Sequence, residues 1–412
     1  MHQAKISRVY KDLRDNKISV GSLTPFTKYL PPKIFPGFRC SWNPIWSHRI
    51  AMEIACQLVE SQDYGTFLKP LIKYRDEYEK MYSTMPLCSN KSISHYVGLC
   101  ALDAVLNNVN EKHLTRLAVI FNRVVKDGAF TEGGHYSKYV IDCFDRVGVL
   151  FDNWFGESDN KILRDSYIHI SKNVSKVKTW QRRIADTDGV MAVIGDGWNE
   201  KIMLGGADEC RRTSYSIGAD EGIFYYEDMT IHRQEGWLAI HNHRQNPFSL
   251  HQHPHGDEIL IAHGNDWLIK GSGMPSYKHV MRQPWKWRRP RNHFFTETIW
   301  DWWVLWRHRV GWSVDSPGGR SVNIEGKTLT IYESGKKVVR FPGNRVDVAV
   351  LTNELRWDYS KFHFKVVGIN AKLLGKDHVH AATHYDGEET IPVVRIKGEN
   401  IITTISLQNS HN

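Results

Sequence analysis

The sequence predicts an α+β chain of more than one domain, a helical part followed by an antiparallel β part. Three observations predict it. Up to residue 204 apolar residues recur at the three-and-four spacing of amphipathic helices. From residue 205 the apolar period becomes two, the spacing of half-buried strands. Turn signals such as Glu325-Gly326 and Ser334-Gly335 separate the strand-like runs at hairpin spacing. A run of helices followed by a run of strands builds adjoining domains rather than an interleaved α/β sheet.

The elements follow in order. Residues 1–40 form an irregular N-terminal segment, broken by Pro31-Pro32, Pro36 and Gly37. Residues 41–204 form the helical domain. Trp46, Ile50, Ile54 and Leu58 mark one helix face, and Leu114, Leu117, Phe121 and Val124 mark another. Tyr136, Val140, Cys143, Val147 and Leu150 mark a third, with further helices expected over 66–80, 92–108 and 161–175. Short polar connections make successive helices antiparallel hairpins. Residues 205–412 form the β domain, with strands expected within 222–233, 236–241, 258–269, 321–324, 327–332, 337–341, 346–351 and 362–367.

Composition narrows the function classes. A chain of 412 residues with 41% hydrophobic content has enough apolar material for a sizeable core. Its six cysteines are scattered without a CxxC pair, so they read as small core residues rather than a disulfide or metal framework. The start, MHQAKISRVYKDLRDNK, has no apolar stretch of a secretory signal, which makes the cytoplasm the default location. No uninterrupted apolar run is long enough to span a bilayer. The net charge of +9 favours an anionic partner.

The charge is concentrated. Lys278, Arg282, Lys286, Arg288, Arg289, Arg291, Arg307 and Arg309 face only Glu297 and Asp301 in their stretch. Trp285, Trp287, Trp300, Trp302, Trp303 and Trp306 are interleaved with them. Indoles stack on sugar rings and Arg forks carboxylates, so an acidic glycan fits this mixture. Bases stack on indoles as well, but single-stranded nucleic acid rests on charge alone and is the least favoured partner. Most of these tryptophans are expected to fill a β core.

One stretch stands out chemically. His251, His253 and His255 alternate and run through Gly256 into Asp257, directly before the apolar run Ile259 to Ile261. In an extended chain the three imidazoles project from one side, as a catalytic wall, a set of metal ligands or a polar strand edge.

Five segments in order carry a resemblance. DGAFTEGGHYSKYV (Asp127 to Val140), DGVMAVIGDG (Asp188 to Gly197), FYYEDMTIHRQEGWLAIH (Phe224 to His241), HPHGDEILIAHGNDWLIKGSG (His253 to Gly273) and RPRNHFFTE (Arg289 to Glu297) resemble segments of the heparinase II/III-like polysaccharide lyases, relatives of the alginate lyases. The resemblance spans roughly residues 40 to 370. It implies an α/α toroid of helical hairpins, here incomplete because the helical part is short, followed by an antiparallel β-sandwich. It also implies an active-site cleft between them and β-elimination on a uronate-containing glycan.

The same resemblance implies roles. Tyr136, after the Gly133-Gly134 turn, is expected to shuttle protons as the acid/base; an ordinary phenol near ~10 donates readily but needs cations to serve as a base. Packing on the apolar face with Val140 is its structural alternative. His253 matches the histidine of the sheet wall. His95 stands where an Asn-His pair neutralises the uronate carboxylate, but Ser94 replaces the Asn and has one donor and a shorter reach. As a lone helical histidine, His95 equally reads as structural. Ser94, Asn90, Glu132, Arg289, Arg291, Asn292 and Trp198 are candidate substrate contacts. Glu132 alternatively caps a helix start, and Trp198 alternatively seals a domain interface.

No cofactor is expected to be required. In some relatives the second histidine, here His255, belongs to a structural Zn2+ site with an Asp at the end of the following strand and a later His. This chain reads Lys270-Gly271-Ser272 at that strand end, so the Asp is missing, leaving His255, Asp257 and His293 as the candidate ligands. Two other functions stay open: a glycan-binding or glycan-modifying protein on the same scaffold, or a metal-dependent hydrolase built on His251, His253, His255 and Asp257.

Overall fold

The computed structural model describes residues 64–82, 90–194, 197, 201–202, 220–227, 229–242, 258–271, 295–297, 320–384 and 387–408. Its helices are α1 (Tyr64–Tyr82), α2 (Asn90–Val105), α3 (Glu111–Val124), α4 (Gly134–Phe151) and α5 (Lys161–Arg183). A two-strand ribbon, β1 (Val125–Lys126) and β2 (Ala129–Phe130), precedes α4. The remaining strands are antiparallel, so the α+β order expected from the change of period is what the chain adopts. The expected helix around 46–58 lies outside the described residues.

The chain divides into two compact units. One comprises Met1–Lys126 with Ser137–Lys178, the other Asp127–Tyr136 with Thr179–Asn412.

In the first unit, α2 is buried along almost its whole length, polar Asn90, Ser92, Ser94, His95 and Asp103 included, so its apolar residues are not confined to one face. α3 shows the opposite pattern, burying Leu114, Leu117, Ile120, Phe121 and Val124 on one side. It starts at Asn110, whose side chain accepts from the Lys112 backbone N–H at 3.1 Å. A run of edge-to-face rings, Phe121–Phe144, Phe144–Phe151 and Phe151–Phe155, ties α3 to α4 and to the π-helical turn Asp152–Gly156. Tyr167 on α5 closes the run against Phe151 and Phe155.

One polar network is buried among α1, α2 and α3. Asp103, 1% exposed, accepts from Arg75 Nε at 2.8 Å and bonds His113 Nδ1 at 2.6 Å. Glu79 closes the ring, 2.7 Å from Arg75 and 3.0 Å from His113 Nε2. A carboxylate at this depth is tolerable only because both oxygens are engaged by cationic or hydrogen-bonding partners.

The second unit holds two sheets. The smaller has five strands in the order β3-β4-β5-β6-β7: β3 (Gly222–Tyr226), β4 (Met229–Gln234), β5 (Trp237–Asn242), β6 (Glu258–His263) and β7 (Asp266–Ile269). The larger has eight among the described residues. They are β8 (Phe295–Glu297), β9 (Arg320–Glu325), β10 (Thr328–Pro342), β11 (Ala349–Leu351), β12 (Glu354–Tyr359), β13 (Phe362–Leu373), β14 (Asp377–His384) and β15 (Gly387–Leu407). β11-β12-β13-β15-β10-β8 form its main path, while β14 pairs with β15 and β9 with β10.

Alternate residues from both sheets meet in one apolar core. Trp237, Ala239, Ile259 and Ile261 come from the smaller sheet; Ile331, Phe341, Trp357, Phe364 and Ile396 come from the larger. Trp357 and Phe364 are directly opposite in the register and stack at 4.7 Å, a pair contributing about 0.5–1.5 kcal/mol beyond area burial.

Two sequence expectations change. Ser334-Gly335 does not end a strand; β10 runs through it with a register shift between Glu333 and Lys336. The long partner β15 continues across this point, and Asn400 Oδ1 accepts from the Gly335 N–H at 2.8 Å, so turn residues become a bulge. β12, β14 and β15 were not expected. β15 contains Pro392, Gly398 and Asn400, which read as breaks in sequence, yet Pro392 pairs with His378 of β14, Gly398 pairs with Lys337 of β10, and Asn400 falls at a register shift between paired residues. No helix among the described residues is long and apolar enough to cross a membrane.

Candidate functional site

Tyr136 sits in the first turn of α4, and the local sequence explains how it is held there. The β1–β2 ribbon ends in a turn in which the Gly133 N–H donates to the Phe130 carbonyl at 3.0 Å. Gly133 has φ +89°, and a Cβ there would lie 2.1 Å from the Ile194 carbonyl oxygen. Only glycine lets the two backbones approach this closely. Tyr136 is 8% exposed, and the neighbouring Glu132 is 2% exposed.

The half-buried imidazole of His135 meets the Tyr136 ring edge to face, with centroids 5.0 Å apart. On its other side His135 packs against Gly197, where a Cβ would come within 2.7 Å of the His135 Cβ. The segments containing GGHY and IGDG, far apart in sequence, therefore meet around one aromatic pair.

The strip Met191–Ile194 continues to the smaller sheet. A Cβ on Gly271, just past β7, would lie 1.7 Å from the Val193 carbonyl oxygen and 3.4 Å from Glu258 Oε1. The strip is anchored by Asp186, whose Oδ1 accepts the backbone N–H groups of Asp188 and Val190 at 2.9 and 2.8 Å. Asp186 Oδ2 accepts Trp267 Nε1–H at 2.9 Å. Burial pushes the Asp186 carboxyl up, against these hydrogen bonds, which pull it down. Arg233 of β4 donates to the carbonyls of Arg183 and Ala185, and Trp180 Nε1 donates to Met229 Sδ. The face of the smaller sheet turned away from the shared core is thus covered by residues 180–194.

Glu258 opens β6 on this covered face. It is 5% exposed and stands opposite Asn242 in the register. Burial raises its carboxyl to about 8, with the Asn242 hydrogen bond pulling the other way. Glu258 holds its proton at neutral pH and follows directly after Asp257 in the chain.

Asn90, Ser94 and His95 share helix α2, and all are buried, at 3%, 0% and 1% exposure. The Ser94 hydroxyl donates to the Asn90 carbonyl at 2.8 Å, so its single hydrogen is spent inside its own helix. His95 lies between Tyr78, at 4.6 Å between centroids, and Tyr96, at 5.1 Å. The Tyr78 hydroxyl donates to the His95 carbonyl at 3.3 Å. His253, His255, Asp257, His293, Arg289, Arg291, Asn292 and Trp198 lie outside the described residues, as does His251.

The implied zinc can be tested at one place. Lys270 stands at the strand end where the resemblance requires an Asp, and its ammonium is 2.9 Å from Glu389 Oε1. An ammonium there replaces the carboxylate that the resemblance requires, while the candidate ligands His255, Asp257 and His293 lie outside the described residues. Among the described residues, no group of three His, Cys, Asp or Glu is placed to hold a metal.

Sequence reasoning passed over two residues of this region. His135 had a signal, its place beside Tyr136 after a glycine pair. Glu258 had a weaker one, a single charge at the head of an apolar run.

No family model and no curated protein matches the sequence. Solved structures do match in fold. The heparan sulfate lyase HepC of Pedobacter heparinus is similar, with a TM-score of 0.58 at 11% identity over 97% of this chain and 73% of that one. A mutant of the same enzyme matches with a TM-score of 0.58 at 11% identity, over 84% of this chain and 64% of that one. A heparinase III, the BT4657 gene product, matches with a TM-score of 0.59 at 12% identity, over 95% of this chain and 71% of that one. The chain thus has a heparinase-like fold and spans 64% to 73% of the length of these chains.

Proposed function

We propose that this chain, starting from its heparinase-like fold, is a polysaccharide lyase that cleaves an acidic, uronate-containing glycan by β-elimination. On this reading the helices form an incomplete α/α toroid and the two sheets an antiparallel sandwich. The observation that carries the reading is Tyr136. A phenol is held at the head of α4 by a glycine turn that no other residue fits, within a fold shared with heparan sulfate lyases.

The reaction needs a proton taken and a proton given. A base removes the C5 proton of the uronate, and the C5–H electron pair becomes the C4–C5 double bond. The C4–O bond breaks with its electrons passing to the glycosidic oxygen, which Tyr136 protonates. His253 serves as the partner base, and neutral donors or cations offset the developing carboxylate charge. His95 is assigned to that neutralisation; Ser94 is not, because its hydrogen is already donated. Glu132, Asn90, Arg289, Arg291, Asn292 and Trp198 are assigned to substrate contact. Zinc has no step here.

The test is a panel of heparan sulfate, alginate and other uronate glycans, read by near-ultraviolet absorbance of the unsaturated product. Tyr136→Phe is expected to abolish the signal with an unchanged melting curve. Full turnover by this variant removes Tyr136 from the chemistry.

A second reading, a glycan-binding or glycan-modifying protein without elimination, is favoured by the burial of Ser94 and His95. Retention on immobilised heparin with no unsaturated product from any glycan would select it.

A further inference from the structure

The β14–β15 hairpin carries two histidines that neither the elimination scheme nor the zinc motif uses. His378 and His380 are two apart on a strand and so face the same way, while Val379 between them enters the core. The register sets His378 opposite Pro392 and His380 opposite Thr390. The imidazoles converge, with centroids 4.7 Å apart and an interplanar angle of 78°. Their Nε2 atoms are 3.2 Å apart.

Thr390 decides how one ring presents itself. His380 Nδ1 lies 3.2 Å from Thr390 Oγ1. A hydroxyl oxygen accepts the Nδ1–H, which leaves the His380 lone pair on Nε2, the atom turned toward His378. This is the outer hydrogen bond that metal-ligating histidines commonly make, fixing tautomer and ring orientation. Two imidazole nitrogens bound to one tetrahedral ion at the usual Zn–N length lie about 3.3 Å apart. The observed 3.2 Å is close to that separation.

We infer that His378 and His380 form a two-imidazole chelate for a borderline divalent cation, with Zn2+ as the representative ion, on the outer side of the β14–β15 hairpin. Asp377 is not a third ligand. Its Oδ2 lies 3.6 Å from both Arg340 Nε and Arg395 Nε, which hold it on the protein side. Among the described residues no third His, Cys, Asp or Glu joins the pair, and a two-ligand site binds more weakly than a four-ligand structural site. Without metal, His378 Nε2–H donates to His380 Nε2; on metal binding His378 changes tautomer, its hydrogen passing through solvent to Nδ1, so that both Nε2 lone pairs face the ion and both rings stay neutral. The inference does not depend on the lyase reading.

The test uses the full chain, stripped with a chelator and titrated with Zn2+ alone against a chromophoric competitor at pH 7.5. The His378→Gln/His380→Gln double variant is expected to bind one fewer Zn2+ per chain than wild type, and Thr390→Val to retain the site with several-fold weaker binding. A double variant with wild-type stoichiometry and affinity overturns the inference and assigns the binding to other histidines. A second measurement needs no variant. Zn2+ is expected to protect His378 and His380 of the wild-type chain from diethyl pyrocarbonate, read by mass spectrometry of the peptide that contains them. Equal modification with and without Zn2+ overturns the inference as well.

Discussion

The His135 imidazole bears edge-on against the Tyr136 ring, with 5.0 Å between centroids, and Gly197 backs it. An edge-to-face pair of this kind contributes about 0.5–1.5 kcal/mol, enough to hold a phenol in one rotamer. If Tyr136 moves the proton in elimination, His135→Ala is expected to lower kcat on a uronate glycan by about two- to tenfold, the rate equivalent of that contact. His135→Phe, which keeps a ring against Tyr136, restores most of it. Steady-state kinetics decide; a loss confined to KM, or no rescue by Phe, would show that the imidazole does something other than position the phenol.

Glu258 makes stability depend on pH. Burial lifts its carboxyl from 4.5 to about 8, so the folded chain keeps a proton that the unfolded chain releases. The stabilisation is complete below the unfolded value and is lost as pH rises through the folded one, by up to about 1.4 kcal/mol per unit. The wild-type melting temperature should therefore fall between pH 5 and 8, an interval set by those two values. Glu258→Gln, which keeps the shape and cannot ionise, should flatten the curve over the same interval. Parallel curves for the two proteins would show that Glu258 is not the group responsible.

Gly271→Ala forces a methyl group to within 1.7 Å of the Val193 carbonyl oxygen. The clash is between backbone atoms and cannot be relieved by a side-chain rotation, so a loss of about 3 kcal/mol or more is expected. Denaturant unfolding measures it. Gly148→Ala, inside α4, meets nothing within 4 Å and serves as the clash-free comparison, expected to stabilise by about 0.5–1 kcal/mol through helix propensity.

The Arg75–Asp103–His113–Glu79 ring should respond unequally to truncation. Asp103→Ala strands two partners in the interior and is expected to cost about 3–5 kcal/mol. Glu79 is 39% exposed, so Glu79→Ala is expected to cost about 1 kcal/mol or less. Equal losses in a urea titration would mean that the ring is not organised around Asp103.

Much of the architecture was readable because burial writes a period into the sequence. α3, α4 and α5 appear where the three-and-four spacing placed them, and β4 to β7 where alternation did. The spacing failed where pairing overrode local preference. Gly335, Pro392, Gly398 and Asn400 are turn formers in isolation, but the paired residues on either side of them carry β10 and β15 through, with Gly335 and Asn400 taken up in a register shift. Of the candidate site, the turn at Gly133-Gly134 before Tyr136 was readable and the role of Tyr136 came from the resemblance, whereas the donated hydrogen of Ser94 and the raised carboxyl of Glu258 depend on what surrounds them.

The sequence by itself determined the order of helices and strands, the glycines that permit close backbone approach and the residue types available for proton transfer. These are local properties, set by side-chain periodicity and backbone freedom. Only the tertiary structure decided that His135 backs Tyr136, that Lys270 faces Glu389 and that the Nε2 atoms of His378 and His380 lie 3.2 Å apart. Ring contacts, protonation and ligand geometry arise from atoms brought together across the chain, and no linear spacing encodes them.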